Sequence, residues 1–289
     1  MTAVMLPDED WSRILTEELA GWGTADPAVA VVGRTGVLGT AGPVSLPRPW
    51  ASVTKIVAAL AVLDVVGEGL LDLDELAGPP GSTVRHLLAH ASGLAFDEPR
   101  VLAAPGSRRI YSNVGIDVVT ALARERTSSG DTGALLQERI LGPLGMTRTT
   151  LQGPPSHGAV GPVEDLARLA LELLQPRILR PGIVDWAVTP AFPDLAGVLP
   201  GFGRQSPNEW GLGVEIRGRK SPHWTPDGLS PHAFGHFGQS GAFLWVDPSR
   251  GLGLVAATDT AFGPWAADAW PRTSNRVLAH AANLYRRSA

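Results

Sequence analysis

The sequence predicts an α/β protein in which strands from both ends of the chain form one antiparallel sheet and the middle is a mainly helical insertion. Strand patterns occur before residue 40 and after about residue 205, whereas the patterns between them are helical. Each set of strands must bury its apolar face, so the two ends are expected to share a sheet. We place the sheet domain at residues 1–50 and 205–289 and the helical domain at 51–204.

The composition is that of a globular protein with a large core. Of the 289 residues, 44% are hydrophobic and 18% are charged, which is typical of chains that fold by themselves. The net charge of −4 provides no basic surface for nucleic acid. The absence of cysteine excludes disulfides, thiolate catalysis and cysteine-ligated metal.

The sequence near the N-terminus does not match the pattern of a signal peptide. Acidic residues stand near the N-terminus, where a signal peptide needs basic ones, and the longest apolar run, Ile56 to Leu63, is far shorter than a membrane span. We therefore expect a soluble, cytoplasmic protein with no membrane partner. The sequence leaves its oligomeric state open.

The first third of the chain predicts a helix, a hairpin and a buried helix. Apolar residues recur at helical spacing from Trp11 to Trp22, which indicates a helix packed on the sheet. Two β-rich runs, Ala28 to Val32 and Gly36 to Gly39, flank Gly33-Arg34-Thr35 and predict a hairpin. From Ser52 to Leu63 the pattern is apolar on every side, which is typical of a buried helix.

The remaining elements follow from the same patterns. Helices are predicted at 83–90, 114–124, 133–140 and 164–174, with glycine and proline loops between them. Strands are predicted at 210–216, 241–246 and 252–258, and a helix at 272–286 closes the chain.

Ser52 and Lys55 lie three residues apart at the start of the predicted buried helix. This spacing places the hydroxyl and the amine on one helical face. Burial disfavours the charged form of Lys55 and lets it act as a base toward Ser52. Only Lys55 and Lys220 among the 24 basic residues are lysines, although a GC-rich genome also explains that bias. The structural alternative is a helix-capping serine beside a lysine that reaches solvent.

A second candidate group is Tyr111-Ser112-Asn113, which follows Pro105-Gly106 in a loop before a predicted helix. Side chains in such a loop can point into a cleft. A nearby lysine ammonium would lower the pKa of the Tyr111 phenol, and the Asn113 amide can hold both a substrate carbonyl and the lysine. The structural alternative is a tyrosine corner with a capping asparagine.

The third candidate group runs from His236 to Gly241, with the sequence His-Phe-Gly-Gln-Ser-Gly, and enters the strand predicted from Gly241. Glycine at 238 would allow a substrate to approach the strand backbone closely. Ser240 does not stand in a Gly-x-Ser-x-Gly elbow, so a turn is the better interpretation of that residue.

These groups, in this order, resemble the motifs of the serine β-lactamase and penicillin-binding-protein superfamily: Ser-x-x-Lys, Tyr-x-Asn, and Lys-Thr-Gly or a His-x-Gly variant. The resemblance covers most of the chain and includes the run Leu-Leu-Ala-His-Ala-Ser-Gly-Leu at 87–94. It implies a β-lactamase-like fold with an active site between the two domains. The tyrosine motif resembles the branch that holds class C β-lactamases, D-alanyl-D-alanine carboxypeptidases and related esterases.

The resemblance also implies a role for each matching residue. Ser52 would be the acylated nucleophile, Lys55 and Tyr111 would share the proton transfers, and Asn113 would orient Lys55 and the substrate carbonyl. His236 would line the cleft opposite Tyr111.

The substrate-binding edge follows in the same way. The oxyanion hole would be formed by the backbone N–H groups of Ser52 and Gln239, beside Phe237 and Gly238. No cofactor is implied. No metal is expected either, because the histidine pairs at 86/90 and 232/236 lack the glutamate of a metal motif.

Phe237 departs from the family pattern, since a hydroxyl that binds the substrate carboxylate normally follows the Lys or His. Either Arg204 or Arg217 is a candidate to replace it. We therefore expect a serine hydrolase or acyltransferase that works through an acyl-enzyme on a small ester. The alternatives are a β-lactamase or D-alanyl-D-alanine-type peptidase or amidase, and a non-catalytic binding domain of the same fold. The last would be marked by loss of Ser52, Lys55 or Tyr111, and all three are present.

Overall fold

A computed structural model describes residues 9–288. Its helices are α1 (Glu9–Ala20), α2 (Thr54–Gly67), α3 (Val84–Leu88), α4 (Asn113–Glu125), α5 (Thr132–Leu136), α6 (Val163–Leu174), α7 (Ile183–Val188) and α8 (Pro264–Ser288), with a 3₁₀ turn at Ala51–Val53 and a π turn at Gln137–Leu141. Its strands are β1 (Ala28–Gly33), β2 (Gly36–Ala41), β3 (Arg48–Pro49), β4 (Thr150–Leu151), β5 (Ala159–Gly161), β6 (Gly197–Leu199), β7 (Gly203–Gln205), β8 (Glu215–Ile216), β9 (Phe234–Phe237), β10 (Phe243–Asp247) and β11 (Leu252–Ala257).

The main sheet has six antiparallel strands in the order β2-β1-β11-β10-β9-β8. Two of them come from the N-terminal part of the chain and four from the C-terminal part. This confirms the predicted α/β class with one sheet formed by both ends. Two small sheets, β3-β5-β4 and β6-β7, lie among the middle segments.

Helices cover both faces of the main sheet, so every residue of β1 is buried. Val29 and Val31 belong to the core beneath α1 and α8, whereas Ala30 and Val32 belong to the core shared with α2 and α6. A strand buried on both faces is apolar along its whole length. That requirement explains the sequence of β1.

The helix predicted to be buried is buried except at its last two residues. All residues from 54 to 65 of α2 are buried, and the helix packs against α4 and α7. Because its first turn is enclosed as well, a charged side chain there is separated from water.

The helix α6 packs on β1, β10 and β11, although the sequence assigned it to the helical domain. Its apolar side, which includes Leu166, Leu169 and Leu173, is buried. The sheet and the helical segment therefore share one core. The domain boundaries at residues 50 and 205 stay a prediction.

The prediction of a strand at 210–216 is wrong for most of that range, since only Glu215–Ile216 form β8. The preceding residues cross over α2 in a non-extended path. Gly213 has a φ of +82°, and a Cβ at this position would collide with Ala59. Close contact with the buried helix therefore bends the chain out of the sheet.

The sequence analysis missed the strand β9. His236 and Phe237 lie within this strand, not in a segment that leads into the next one, and β10 begins at Phe243 instead of Gly241. The strand signal is short and is interrupted by Gly235. A Cβ there would collide with the backbone of Leu244 on the neighbouring strand.

Three helices differ in length from the prediction. The one predicted at 83–90 is reduced to α3, and the one predicted at 133–140 is divided between α5 and the π turn. α8 begins at Pro264, before the predicted start at Arg272, and continues through Pro271, where the helix lacks one backbone N–H donor. Burial of Ala266 and Trp270 offsets the hydrogen bond lost at that proline. None of the helices in residues 9–288 is both long and apolar enough to cross a membrane.

Candidate active site

Ser52 lies in a strained turn between β3 and α2. The preceding residue, Ala51, has a φ of +45°, a left-handed conformation that costs a non-glycine residue energy. Trp50 anchors the turn: its backbone N–H donates to the carbonyl of Ala159 over 2.9 Å and its indole N–H to that of Gly161 over 2.9 Å. The surrounding structure therefore holds the Ser52 hydroxyl in one place.

The turn after β9 lies directly against this strained turn. A Cβ at Gly238 would collide with the carbonyl oxygen of Trp50. The sequence analysis connected Gly238 with the approach of a substrate, but the structure shows that glycine is required for the chain's own backbone. The close contact brings the end of β9 next to Ser52.

Lys55, on the first turn of α2, is fully buried. Its Nζ lies 3.1 Å from Ser52 Oγ, 2.5 Å from Asn113 Oδ1 and 2.8 Å from the carbonyl oxygen of Ser156. It also lies 4.8 Å from the centre of the Tyr111 ring. The predicted meeting of lysine, serine and asparagine is therefore present in the structure.

Burial lowers the pKa of Lys55 from its ordinary value of 10.5 to about 7, because the charged form loses its hydration. The neutral amine has two N–H groups and one lone pair. The Asn113 and Ser156 oxygens can only accept, so they take the two N–H groups. The lone pair is left for the Ser52 hydroxyl, which can donate its proton.

Asn113 is the first residue of α4 and is buried. Its Nδ2 donates to Asp97 Oδ1 over 2.6 Å. A carboxylate cannot donate, so this contact sets the orientation of the amide and turns Oδ1 toward Lys55. Asp97 was not among the residues singled out in the sequence.

Tyr111 and His236 are in contact, with 3.3 Å between the phenol oxygen and Nε2. His236 Nδ1 lies 2.7 Å from the carbonyl oxygen of Phe237, so Nδ1 carries the proton. Burial lowers the pKa of His236 to about 3, which keeps the imidazole neutral. Nε2 therefore accepts the phenol proton, and the lone pairs of the phenol oxygen are left for Ser52, its other hydrogen-bond partner.

The pKa of the Tyr111 phenol is raised, not lowered as expected from the sequence. Loss of hydration is the main cause, and hydrogen bonding with Ser52 only partly opposes it. Burial thus outweighs the hydrogen bond with Ser52, and the charges of Glu215 and Asp97 raise the pKa further. The phenol is neutral in the resting site, which leaves Lys55 as the better resting base.

Two further residues hold the Tyr111 ring. The His90 ring lies 4.6 Å from it and the Trp210 ring 5.7 Å from it. His90 Nδ1 also accepts the backbone N–H of Ser112 over 3.2 Å. Trp210 contacts His236 at 5.4 Å as well, so the tyrosine and histidine share one aromatic support.

The two N–H groups proposed for the oxyanion hole belong to Ser52 and Gln239. Within residues 9–288, neither group donates to an acceptor. The carbonyl of Gln239 accepts from the N–H of Phe262 over 2.9 Å, which secures the turn after β9. Both N–H groups are therefore available to a ligand.

Phe237 packs into an aromatic cluster and is only 7% exposed. Its ring centre lies 4.9 Å from that of Phe262 and 5.9 Å from those of Phe202 and Trp270. Phe237 is the last residue of β9, and its ring centre lies 6.4 Å from that of His236. Phe237 thus contributes to an apolar wall beside the turn and offers no polar group.

The two arginines considered as replacements for the missing hydroxyl have different environments. Arg217 is buried and donates to Asp227 Oδ1 over 2.7 Å and to the carbonyls of Lys220 and Pro226, so its guanidinium is engaged elsewhere. Arg204 is exposed on β7 opposite Val198. Only Arg204 remains as a candidate.

Lys220, the second lysine, belongs to a separate buried ion pair. Its Nζ donates to Glu215 Oε1 over 2.8 Å, and Glu215 also accepts the Trp224 indole N–H over 2.6 Å. Glu215 pairs with Gly235 across β8 and β9. This ion pair therefore supports the strand that carries His236.

The structure brings Ser52, Lys55, Tyr111, Asn113 and His236 together, as the sequence analysis predicted. The sequence analysis did not single out Asp97, Ser156 or Asp117, whose Oδ1 accepts the backbone N–H of Ser156 over 2.9 Å. The sequence could have indicated Asp117, since it lies one helical turn after Asn113. It could not have indicated Ser156, because that residue contributes its backbone carbonyl.

The histidine pairs at 86/90 and 232/236 have no shared ligand geometry. His86 Nδ1 contacts Thr83 Oγ1 at 2.9 Å, and His90 contacts Ser112 as described. Among the described residues, no cluster of three or more His, Asp or Glu side chains could hold a metal ion.

Comparison with solved structures shows the same architecture elsewhere. A crystal structure of a β-lactamase from Mycobacterium bovis is 49% identical, with a TM-score of 0.89 over 92% of this chain and 98% of that one. Unliganded simvastatin synthase from Aspergillus terreus is 18% identical, with a TM-score of 0.74 over 95% and 98%. EstCE1, a hydrolase with promiscuous acyltransferase activity, is 16% identical, with a TM-score of 0.73 over 92% and 96%. No curated protein gives a significant match.

Fold and comparisons together define a hydrolase of the β-lactamase fold. The family model for beta-lactamase matches residues 28–277. The chain belongs to the beta-lactamase family, which confirms the resemblance drawn from its motifs.

Proposed function

We propose that the protein is a serine hydrolase or acyltransferase that forms an acyl-enzyme on Ser52 with a small neutral ester. The observation that carries this proposal is the buried Lys55 amine, whose lone pair is left for the Ser52 hydroxyl. A neutral amine beside a serine is a general base for nucleophilic attack.

The proposed reaction has two stages. Lys55 takes the proton of Ser52 while Oγ attacks the ester carbonyl, and the N–H groups of Ser52 and Gln239 bind the resulting oxyanion. The carbon–oxygen bond to the alcohol then breaks, and the alcohol leaves with a proton supplied through Lys55 or Tyr111. Water or a second alcohol attacks the acyl-enzyme in the reverse sense, which gives hydrolysis or acyl transfer.

A neutral substrate is favoured by the surroundings of Phe237. A carboxylate next to this apolar wall would lose its hydration without a hydroxyl partner, and Arg217 is engaged elsewhere. The cytoplasmic location predicted from the sequence belongs to the same proposal, since it separates the protein from cell-wall peptides.

A second candidate function is β-lactam hydrolysis. It is favoured by the 49% identity to a protein described as a β-lactamase. Arg204, exposed on β7, would then supply the cation for the substrate carboxylate.

The kcat/KM values for p-nitrophenyl acetate and nitrocefin decide between the two. We expect the wild type to have the higher kcat/KM for the ester. The ratio of the ester value to the nitrocefin value should be smaller in Phe237→Thr and unchanged in Arg204→Ala. Ser52→Ala should abolish both activities. Efficient nitrocefin hydrolysis by the wild type would overturn the ester proposal in favour of the β-lactamase, and its selective loss in Arg204→Ala would identify Arg204 as the cation that binds the carboxylate.

A further inference from the structure

We propose that Asp97 and Asp117 are positioning residues that hold the two acceptors of Lys55 and thereby aim its amine at Ser52. This inference rests on the proposed function, because it concerns the base of that reaction. It concerns two carboxylates from different elements, neither of which touches Ser52 or Lys55 in a direct hydrogen bond.

Each carboxylate is connected to Lys55 by a chain of hydrogen bonds, which we call an arm. The first arm runs through Asn113. Asp97 Oδ1 accepts from Asn113 Nδ2 over 2.6 Å, and Asn113 Oδ1 accepts from Lys55 Nζ over 2.5 Å. The backbone N–H of Asn113 donates to the carbonyl of Phe96 over 2.7 Å. The loop at 96–97 thus holds both the backbone and the amide of Asn113, and without the carboxylate the amide could turn its N–H₂ toward Lys55.

The second arm runs through Ser156. Asp117 Oδ1 accepts the backbone N–H of Ser156 over 2.9 Å, and the carbonyl of Ser156 accepts from Lys55 Nζ over 2.8 Å. Ser156 is fully buried. Asp117 stands on α4 one turn after Asn113, so the same helix carries a residue of each arm.

The two arms account for both N–H groups of the neutral amine. Each acceptor is backed by a carboxylate, and a hydrogen-bond chain that ends on a charge is stronger than an isolated bond. A displaced acceptor would let the amine rotate and would turn its lone pair away from Ser52. The arrangement therefore keeps the amine in the geometry that proton transfer requires.

The two carboxylates also favour the charged form of Lys55. Burial lowers the pKa of Lys55, while Asp117 and Asp97, in that order, oppose the shift. The other titratable groups that face Lys55 are Tyr111, His90 and His236, which burial keeps neutral. Loss of either carboxylate should therefore lower the pH at which Lys55 becomes a base.

The test compares asparagine and alanine variants of both residues, alone and combined, through the pH dependence of kcat/KM for p-nitrophenyl acetate. Asparagine keeps an acceptor oxygen but removes the charge. In the pH profile of kcat/KM, we expect the acidic limb of Asp97→Asn and Asp117→Asn to move to lower pH by roughly half a unit. The plateau value at higher pH should stay that of the wild type. The alanine variants should also lose about tenfold or more of the plateau rate.

Asp268→Asn is the control for charge removal, because Asp268 is 79% exposed and pairs with Arg272 on α8; its profile should match the wild type. An unmoved limb in the double asparagine variant, or an alanine plateau equal to the asparagine plateau, overturns the proposal. If circular dichroism shows that the alanine variants are not folded, the position of the acidic limb in the asparagine variants tests the proposal. A wild type without Ser52-dependent esterase activity would instead refute the proposed function itself.

Discussion

Lys55 Nζ lies 3.1 Å from Ser52 Oγ, and of its three hydrogen-bond partners only Ser52 has a proton to give. The contact joins the strained turn before α2 to the first turn of that helix. In the proposed reaction Lys55 is the base and Ser52 the nucleophile. Four properties of this pair can be changed separately: the basicity of Lys55, its protonation, its burial, and the position of Ser52.

Replacement of Lys55 by arginine tests whether the residue acts as a base. Arginine keeps the positive charge but does not lose its proton in proteins. We expect ester hydrolysis by Lys55→Arg to fall to background while the protein stays folded. If the variant keeps more than about a tenth of the wild-type rate, the loss in barrier is below about 1.4 kcal/mol, and Lys55 serves only as a charge.

The pH dependence of the wild type follows from the same residue. Below its pKa of about 7, Lys55 is an ammonium group and cannot accept the Ser52 proton. We expect log kcat/KM to rise with pH up to about 7, with a slope near one, and then to level off. An acidic limb near pH 4, where carboxylates titrate, would contradict this assignment.

Thermal stability should reveal the cost of burying Lys55. Its pKa is about 7 in the folded protein and near the ordinary 10.5 in the unfolded chain. Between these values the unfolded state binds more protons, so the wild type gains stability as pH rises. Lys55→Met lacks this gain, and its melting temperature relative to the wild type should decline from pH 7 to pH 10. A difference that stays constant with pH would show that Lys55 is not desolvated.

Gly238 tests the contact between β9 and the turn that carries Ser52. A Cβ there collides with the carbonyl oxygen of Trp50, so Gly238→Ala should displace the turn and reduce kcat by about a hundredfold. Gly130→Ala is the matched control, because a Cβ at Gly130 has no atom within 4 Å. Equal activity of the two variants, both folded, would show that the close contact is not needed for the reaction.

The sequence predicts those parts of the site that depend on residue type at short spacing. Ser52 and Lys55 are three residues apart where the 3₁₀ turn continues into α2, so local geometry alone brings this pair together. Tyr111 and Asn113 are close in sequence at the start of α4. The prediction that both pairs lie next to His236 came from the resemblance to a known family. Residues far apart in the sequence form this contact, so no local sequence pattern could predict it.

The properties that the sequence could not predict depend on burial and on loop paths. The direction of the Tyr111 pKa shift is one example, since it is set by the aromatic side chains packed around the ring. The strand β9 is another, because four residues interrupted by Gly235 carry too weak a pattern. The contact between Asp97 and Asn113 depends on the path of the 94–102 loop, which no periodicity describes.

The most direct test of the acyl-enzyme account is the site of reaction with a fluorophosphonate probe. The protein is incubated with the probe at pH 8, digested, and the labelled peptide is mapped by mass spectrometry. The account predicts one label, on Ser52, with none on Ser52→Ala and much slower labelling of Lys55→Arg. A label on Ser240 or another serine, or undiminished labelling of Ser52→Ala, would contradict it.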